Sequence, residues 1–301
     1  MKFTSFNEIE SYILNNQLVK TVALACAQDE LALQAVVAAK RKGVLNAILI
    51  GDCEKLEALL NQMGEDSTDY QCIECLDEQE AGRLAVQMVV EGKADIPMKG
   101  LMMTASFMKA ILNKEAGFIK EGALLSQATV LEFTEENRLL IISDCAVNIT
   151  PNVEQKIKIT QNAVNLAHHL GINEPNVAVL SALEKVNPKM PSSVDAQAVA
   201  DYAGYSGIGA IAGPLALDIT ISREAAEHKG IYNQVCGNAD ILIMPEITAG
   251  NIFTKSLTFF AHLKSCGSLI GTTHPVIMTS RTDTAEDKYF SILVAILNSM
   301  N

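Results

Sequence analysis

The sequence predicts an α/β protein with mostly parallel sheets, interrupted once by an antiparallel insertion and so divided into two domains. Three observations predict it. Short β-branched runs alternate with longer helical patterns, which implies right-handed βαβ units. That rhythm breaks after about Glu121, where two strand-like runs follow one another across a polar turn. A chain of 301 residues, 49% hydrophobic and 19% charged, is also long enough to bury two cores.

Element by element, 21–27 (TVALACA) reads as a strand, 29–42 as a helix, 47–50 as a strand and 53–63 as a helix. A strand at 70–76, a helix at 77–91, a strand at 94–98 and a helix at 104–114 follow. Asp29, Asp52 and Asp77 stand at helix starts as caps. The runs 128–133 and 139–144 flank the polar turn 134–138 and form a hairpin. A long helix at 153–170 is opened by Pro151-Asn152 and closed by Gly171. Alternation then resumes with strand 176–181, helix 194–203, strand 208–212, helix 222–229, strand 240–244, helix 251–264, strand 275–279 and helix 284–298.

Composition narrows the function. With 23 Lys and Arg against 35 Asp and Glu the formal charge is −12, which opposes a nucleic-acid partner, because phosphate contacts need clustered cations. An anionic ligand has to be held by a local arrangement of cations and backbone N–H groups. The longest charge-free stretches, 202–217 and 265–280, are broken by Gly, Ser or Pro and fall short of a spanning helix of about 20 residues. The N-terminal MKFTSFNEIE lacks the apolar core of a signal peptide, so no membrane partner and a cytoplasmic location are expected. The seven cysteines are scattered through apolar segments, as reduced thiols are. Cys72 and Cys75 form a lone CxxC with no pair of histidines nearby and read as strand rather than half a zinc site. The five histidines show no metal-ligand spacing, so no metal is expected. Gly207-Ile208-Gly209 runs on to Gly213-Pro214 with the wrong spacing for a dinucleotide fingerprint.

Ligands of α/β sheets collect beyond the C-terminal ends of strands, so the strand-to-helix junctions carry the functional signal. Residues 278–288, MTSRTDTAEDK, place Ser280 and Arg281, one of only five arginines, just ahead of a helix. Asp283 with Glu286 has capping-box spacing and would start that helix at Thr284. Arg281 beside the N–H groups of the helix start forms an anion site, to which Ser280 adds a hydroxyl. Asp283 and Asp287 fall on one face at i, i+4, where like charges cost about 0.2–0.5 kcal/mol, so one of them is expected to have another task. The alternative is local, with Arg281 paired to Asp283 or Asp287 and Ser280 filling a turn.

Other junctions offer less. At 244–251 (MPEITAGN) Gly250 allows close backbone approach and Asn251 can cap the next helix. At 95–101 (DIPMKGL) Lys99 and Gly100 lie beyond a strand, where a solvated loop is the plainer reading. At 143–148 (SDCAVN) Cys145 has no histidine nearby in sequence and reads as a structural thiol. The polar stretch 181–195 reads as a lid or a mobile loop.

Taken in order, PMKGLM at 97–102, SDCAVN at 143–148, PNVAVLSALEKVNP at 175–188, GPLALD at 213–218, ADILIMPEITAGNI at 239–252 and SRTDTAED at 280–287 resemble the phosphate acetyl/butyryltransferase family. The similarity of order and spacing runs from about 95 to 301, with a looser βα match before it. The short chain and the PMKGLM form are more like the phosphate butyryltransferase side of the family, branched-chain phosphotransacylases included, than the acetyl enzymes. Leu125-Ser126-Gln127 departs from the Leu-Ser-His expected there, so no histidine role carries over.

The resemblance implies a two-domain, three-layer α/β/α fold of the isocitrate/isopropylmalate dehydrogenase-like type. It makes 1–122 with 269–301 domain one and 123–268 an inserted domain two, with the active site in the cleft between them. It implies the reaction acyl-CoA + phosphate = acyl phosphate + CoA, with coenzyme A as a substrate, no cofactor and no metal, in a homodimer or larger homo-oligomer. Asp287 is then expected as general base on the coenzyme A thiol, Arg281 as holder of the phosphoryl group and Ser280 as hydrogen-bond partner of the reacting acyl-phosphate oxygen. Lys99, Gly100 and Asn251 are expected to line the substrate site. Three alternatives stay open. One is a phosphate acetyltransferase. Another is a same-fold NAD- and metal-dependent oxidative decarboxylase, although the arginines at 41, 83, 138, 223 and 281 form no cluster for substrate carboxylates. The third is a non-catalytic module that binds coenzyme A or acyl phosphate.

Overall fold

Strand and helix alternate as the pattern predicts in the computed structural model, which describes residues 1–300. The chain divides into two compact units, one made of Phe6–Ala123 with the chain from Cys266 onward, the other of Met1–Ser5 with Leu124–Ser265. The first unit begins with α1 (Phe6–Asn15), β1 (Lys20–Ala25), α2 (Glu30–Arg41), β2 (Leu45–Gly51) and α3 (Cys53–Gln62). It continues with β3 (Gln71–Glu74), α4 (Glu78–Val90), β4 (Ile96–Lys99) and α5 (Thr104–Ile111). Its sheet is parallel throughout in the order β3-β2-β1-β4. Asp29, Asp52 and Asp77 cap α2, α3 and α4 by accepting from Ala32, Lys55 and Glu80 N–H, so each helix leaves its strand at a defined point.

The other unit holds β5 (Ser126–Phe133), β6 (Arg138–Ser143), α6 (Val153–His169), β7 (Asn176–Leu180), α7 (Pro191–Ala200) and β8 (Ala210–Leu215). After these come α8 (Leu217–Ile221), α9 (Arg223–His228), β9 (Ile241–Ile243) and α10 (Ile247–Phe259). The hairpin is real, since β5 and β6 pair antiparallel from Ala128 opposite Ser143 to Phe133 opposite Arg138. A sheet of order β10-β5-β6-β9-β7-β8 includes β10 (Ser265–Ile270), the strand at which this unit ends. Its core sets Leu131, Leu140, Ile142, Leu215 and Leu242 side by side. The first residues of the chain pack here too, with Lys2 Nζ 3.1 Å from Asp240 and Phe3 N–H donating to the Leu170 carbonyl.

Several expected elements shift. α10 starts at Ile247 rather than 251, because Glu246 is its cap, its carboxylate accepting from Thr248 N at 2.7 Å and Ala249 N at 2.8 Å. Asn251 therefore lies inside the helix and does not cap it. The helix expected at 222–229 is α9, preceded by a short helix, α8, that was not expected, and α7 begins three residues early at Pro191, a residue suited to the first helical turn. In the polar stretch 181–195, Ser193 Oγ accepts from Asn187 N at 2.9 Å and donates to its carbonyl, pinning the segment to α7.

The strand expected at 275–279 is reduced to isolated bridges, one of which sets Ile277 beside Met98. Ile277 N–H donates to the Pro97 carbonyl and Lys99 N–H to the Ile277 carbonyl. Extending that ladder toward the N-terminus would need N–H groups from Pro97 and Pro275, which proline lacks. The last helix, α11 (Ala285–Asn298), is buried without interruption from Lys288 to Leu297, as a helix apolar on all sides should be. Its Phe290 stacks on Phe6 of α1 at 4.3 Å between ring centroids.

Candidate active site

The single bridge at Ile277 positions the candidate residues, because it sets the C-terminal end of β4 beside the segment that leads into α11. Lys99-Gly100 and Thr279-Ser280-Arg281 are thereby neighbours despite the long stretch of chain between them. Arg281 is exposed, and its Nη2 lies 3.0 Å from Met103 Sδ at the start of α5, a second link between the two loops. Met103 supplies no side-chain cap to α5, so the positive end of that helix meets the same loops.

Gly100 is required where it stands. Its N–H donates to the Ala25 carbonyl at 2.8 Å and that of Leu101 to the Cys26 carbonyl at 2.9 Å, so the loop lies flat over the end of β1. A Cβ at Gly100 would be driven into the Cys26 carbonyl oxygen and stand 2.7 Å from that of Ala25. Lys99, for which a solvated loop was the plainer expectation, is 3% exposed. Its ammonium donates to the carbonyls of Gly100 at 3.2 Å and Met102 at 3.3 Å. Burial lowers its pKa, as do the charges of Lys288 and Arg281, against the pull of Asp29 and Asp283.

The capping of α11 differs from the expected Asp283–Glu286 box. Thr284 is the N-cap, and Asp287 completes the box by accepting from Thr284 N at 3.2 Å and Thr284 Oγ1 at 2.6 Å. Asp287 N–H donates to Thr284 Oγ1 at 3.1 Å, so one of the helix-start N–H groups expected to meet an anion is already used. Asp283 is diverted, its Oδ2 accepting from Ser280 N at 2.7 Å. Thr284 wins the cap because its hydroxyl both donates to and accepts from Asp287, whereas Asp283 closes the preceding turn.

The sequence reading missed Lys288. It is 1% exposed, with Nζ donating to Thr279 Oγ1 at 3.1 Å and to the Ser280 carbonyl at 2.7 Å. Burial lowers its pKa, opposed by Asp29, Asp283 and Asp287. Hiding an ammonium costs several kcal/mol, and a charge-assisted hydrogen bond returns only about 1.5–3 kcal/mol. The available signal was a cation at the positive end of a helix that is otherwise apolar, a placement the helix dipole disfavours.

Asn251 is the candidate that falls in the other unit. Its side-chain amide donates to the Cys145 carbonyl at 3.2 Å, and Gly250 packs on the Asp144 carbonyl. Asp144 is spent inside the 143–148 loop, accepting from Ala146 N at 2.8 Å and Val147 N at 3.0 Å. The Cys145 thiol is buried against Thr129 Oγ1 at 3.1 Å, and desolvation pushes its pKa up to about 12, the opposite of an activated nucleophile. Gln127, where a histidine was expected, is 6% exposed with its side-chain oxygen unpartnered. This unit also has an open apolar pocket of about 660 Å³ lined by residues such as Leu131, Phe133 and Phe253, none of them a candidate. Among the described residues no cluster of three or more His, Cys, Asp or Glu could hold a metal ion, and no helix is long and apolar enough to cross a membrane.

The family model described as phosphate acetyl/butaryl transferase matches residues 76–296. A phosphate butyryltransferase from Clostridium acetobutylicum is 42% identical over 299 residues, 99% of this chain and 99% of the relative. The chain belongs to this family. As a member of the phosphate acetyl/butaryl transferase family it is an acyltransferase. A solved branched-chain phosphotransacylase from Enterococcus faecalis matches with TM-score 0.83 at 34% identity, over 94% of this chain and 99% of that one. A 4-hydroxythreonine-4-phosphate dehydrogenase from Klebsiella pneumoniae matches with TM-score 0.54 at 13% identity, over 93% of this chain and 100% of that one, and shares the fold alone. That likeness is the dehydrogenase-type architecture the family resemblance implied.

Proposed function

We propose that the protein transfers a short or branched acyl group between coenzyme A and inorganic phosphate, as a phosphate butyryltransferase does. The observation that carries this is the gathering of exposed Arg281 with the buried ammoniums of Lys99 and Lys288 at one strand end, in a chain of formal charge −12. In the forward direction a phosphate oxygen attacks the thioester carbonyl, the carbon–sulfur bond breaks, and coenzyme A leaves. In reverse the thiol sulfur attacks the acyl-phosphate carbonyl and phosphate leaves.

Arg281 and Lys99 hold the phosphoryl group, each charge-assisted hydrogen bond contributing about 1.5–3 kcal/mol. Asp287, oriented by Thr284, takes the thiol proton, because a thiol of pKa about 8.5 carries little thiolate at neutral pH. Ser280 donates to the reacting oxygen. Gly100 lines the substrate. Coenzyme A is a substrate, and the reaction uses no metal or other cofactor. The enzyme works in the cytoplasm as a homodimer or larger homo-oligomer. Ile252, Phe259 and Phe260 support that assembly, being 64%, 57% and 86% exposed on α10 and its C-terminal cap.

The test is phosphate-dependent release of free thiol from acetyl-, butyryl- and isobutyryl-coenzyme A with a chelator present. Phosphate-dependent release that is fastest with butyryl or isobutyryl supports the reading. Fastest release from the acetyl thioester selects the second reading, a phosphate acetyltransferase, which the family description also covers. No release from folded protein rejects acyl transfer.

A further inference from the structure

We infer that Lys288 is a positioning residue for the Ser280–Arg281 segment, holding it through the Ser280 carbonyl and the Thr279 hydroxyl. The inference rests on the phosphate-transfer reading above. Lys288 is the fourth residue of α11, one past Asp287, and helical side chains lean toward the N-terminus. Its ammonium therefore reaches back under the loop, to 2.7 Å from the Ser280 carbonyl and 3.1 Å from Thr279 Oγ1. The other side of Ser280 is held by Asp283, whose carboxylate accepts from its N–H at 2.7 Å. A carbonyl fixed by Lys288 and an N–H fixed by Asp283 restrict both peptide planes that flank Ser280, and the next of these planes carries Arg281.

A purely structural role would need only a donor for a buried carbonyl. The charges around Lys288 point further. Lys99 from the end of β4 adds the same sign, while Asp29 at the start of α2, Asp283 and Asp287 are the carboxylates that face the ammonium. Each of the three carboxylates already accepts a backbone N–H, from Ala32, Ser280 and Thr284 respectively. The carboxylates are thus tied to the backbone and act on the ammonium through charge alone, while its hydrogen bonds go to the loop it fixes.

Three variants test this, assayed for thiol release against phosphate and against acyl-coenzyme A. Lys288→Met removes donor and charge, Lys288→Gln keeps a neutral donor, and Asp283→Ala removes the opposite anchor from a half-buried site. In Lys288→Met, kcat/KM for phosphate should fall about tenfold or more while KM for the thioester stays within about twofold. Lys288→Gln should recover part of the loss, and Asp283→Ala should reproduce it even if both Lys288 variants fail to fold. A lower Tm with unchanged kinetic constants, or equal loss for both substrates, overturns the inference. If the wild type releases no thiol, the transfer reading fails. The lysine is then judged by thermal stabilisation with inorganic phosphate, which must be present in the wild type and absent in Lys288→Met for the inference to stand.

Discussion

Lys156 on α6 and Lys288 on α11 are both hidden from water, at 4% and 1% exposure, yet they are satisfied differently. Lys156 Nζ lies 2.7 Å from the Asp195 carboxylate, while Lys288 donates to a hydroxyl and a carbonyl, and Lys99 to two carbonyls. Pairing with a carboxylate cancels the charge within the protein. Lys288 has no such direct partner among the described residues, and Asp29, Asp283 and Asp287 act on it through charge alone, which a low local dielectric strengthens. The same residue type at the same burial thus meets a carboxylate in one unit and neutral oxygens in the other. Exposure alone does not separate these cases, and the identity of the acceptor does.

The largest expected effect lies at Asp287. If this loop is chemical rather than architectural, Asp287→Asn should lower turnover by about 10²–10⁴-fold, the range for a lost general base. Asparagine keeps a side-chain oxygen for the Thr284 N–H and hydroxyl, so Tm should move little. A rate and pH profile equal to wild type would reduce Asp287 to a helix cap. Arg281→Ala should follow, with a loss of about 10²–10³-fold as an electrostatic stabiliser is removed. Near-normal phosphate dependence in that variant would remove Arg281 from the phosphate site. Because Arg281 is exposed and touches Met103 through a single nitrogen, denaturation midpoints should hardly change.

The other side of the comparison is broken at Asp195. Asp195→Ala leaves Lys156 buried without its carboxylate. Losing one partner of a fully buried pair costs about 3–5 kcal/mol, and the partial exposure of Asp195 reduces this to about 1–3 kcal/mol. Urea unfolding should show that loss while KM for phosphate stays unchanged. A selective change in phosphate KM would mean that paired and unpaired lysines are not functionally distinct.

The contrast also shows what the sequence could carry. Helical periodicity and the aspartates at 29, 52 and 77 placed three helices correctly, because a cap is a local hydrogen bond between residues two or three apart. The 280–287 motif marked the start of the last helix, but spacing could not choose between Asp283 and Thr284 as cap, since each has an acid three residues on. β10 was missed because Ser265-Cys266-Gly267-Ser268 has weak strand propensity and becomes a strand through its place in the sheet. The short pairing at Ile277 was legible in principle from Pro97 and Pro275. For Lys288 the sequence offered only a cation at the positive end of an apolar helix, and its burial depends on α11 being covered on every side, which is a tertiary fact.

The smallest effect, and the sharpest discriminator, is the alkaline response. Burial lowers the pKa of Lys288 below its ordinary 10.5, so between the lowered value and 10.5 the folded protein binds fewer protons than the unfolded chain. Stability from this group therefore rises with pH across that window. Lys99 has the same sign, whereas buried Tyr289 and Cys145, with raised pKa values, lose stability as pH rises through the same region. Subtracting the unfolding free energy of Lys288→Met from that of wild type removes those shared contributions. The difference should grow as pH is raised toward 10.5, while phosphate binding by wild type weakens over the same interval as the ammonium is lost. Stability and affinity moving in opposite directions is what a buried cation that serves a bound anion requires; a flat difference would mean that Lys288 is held no differently in the fold than in water.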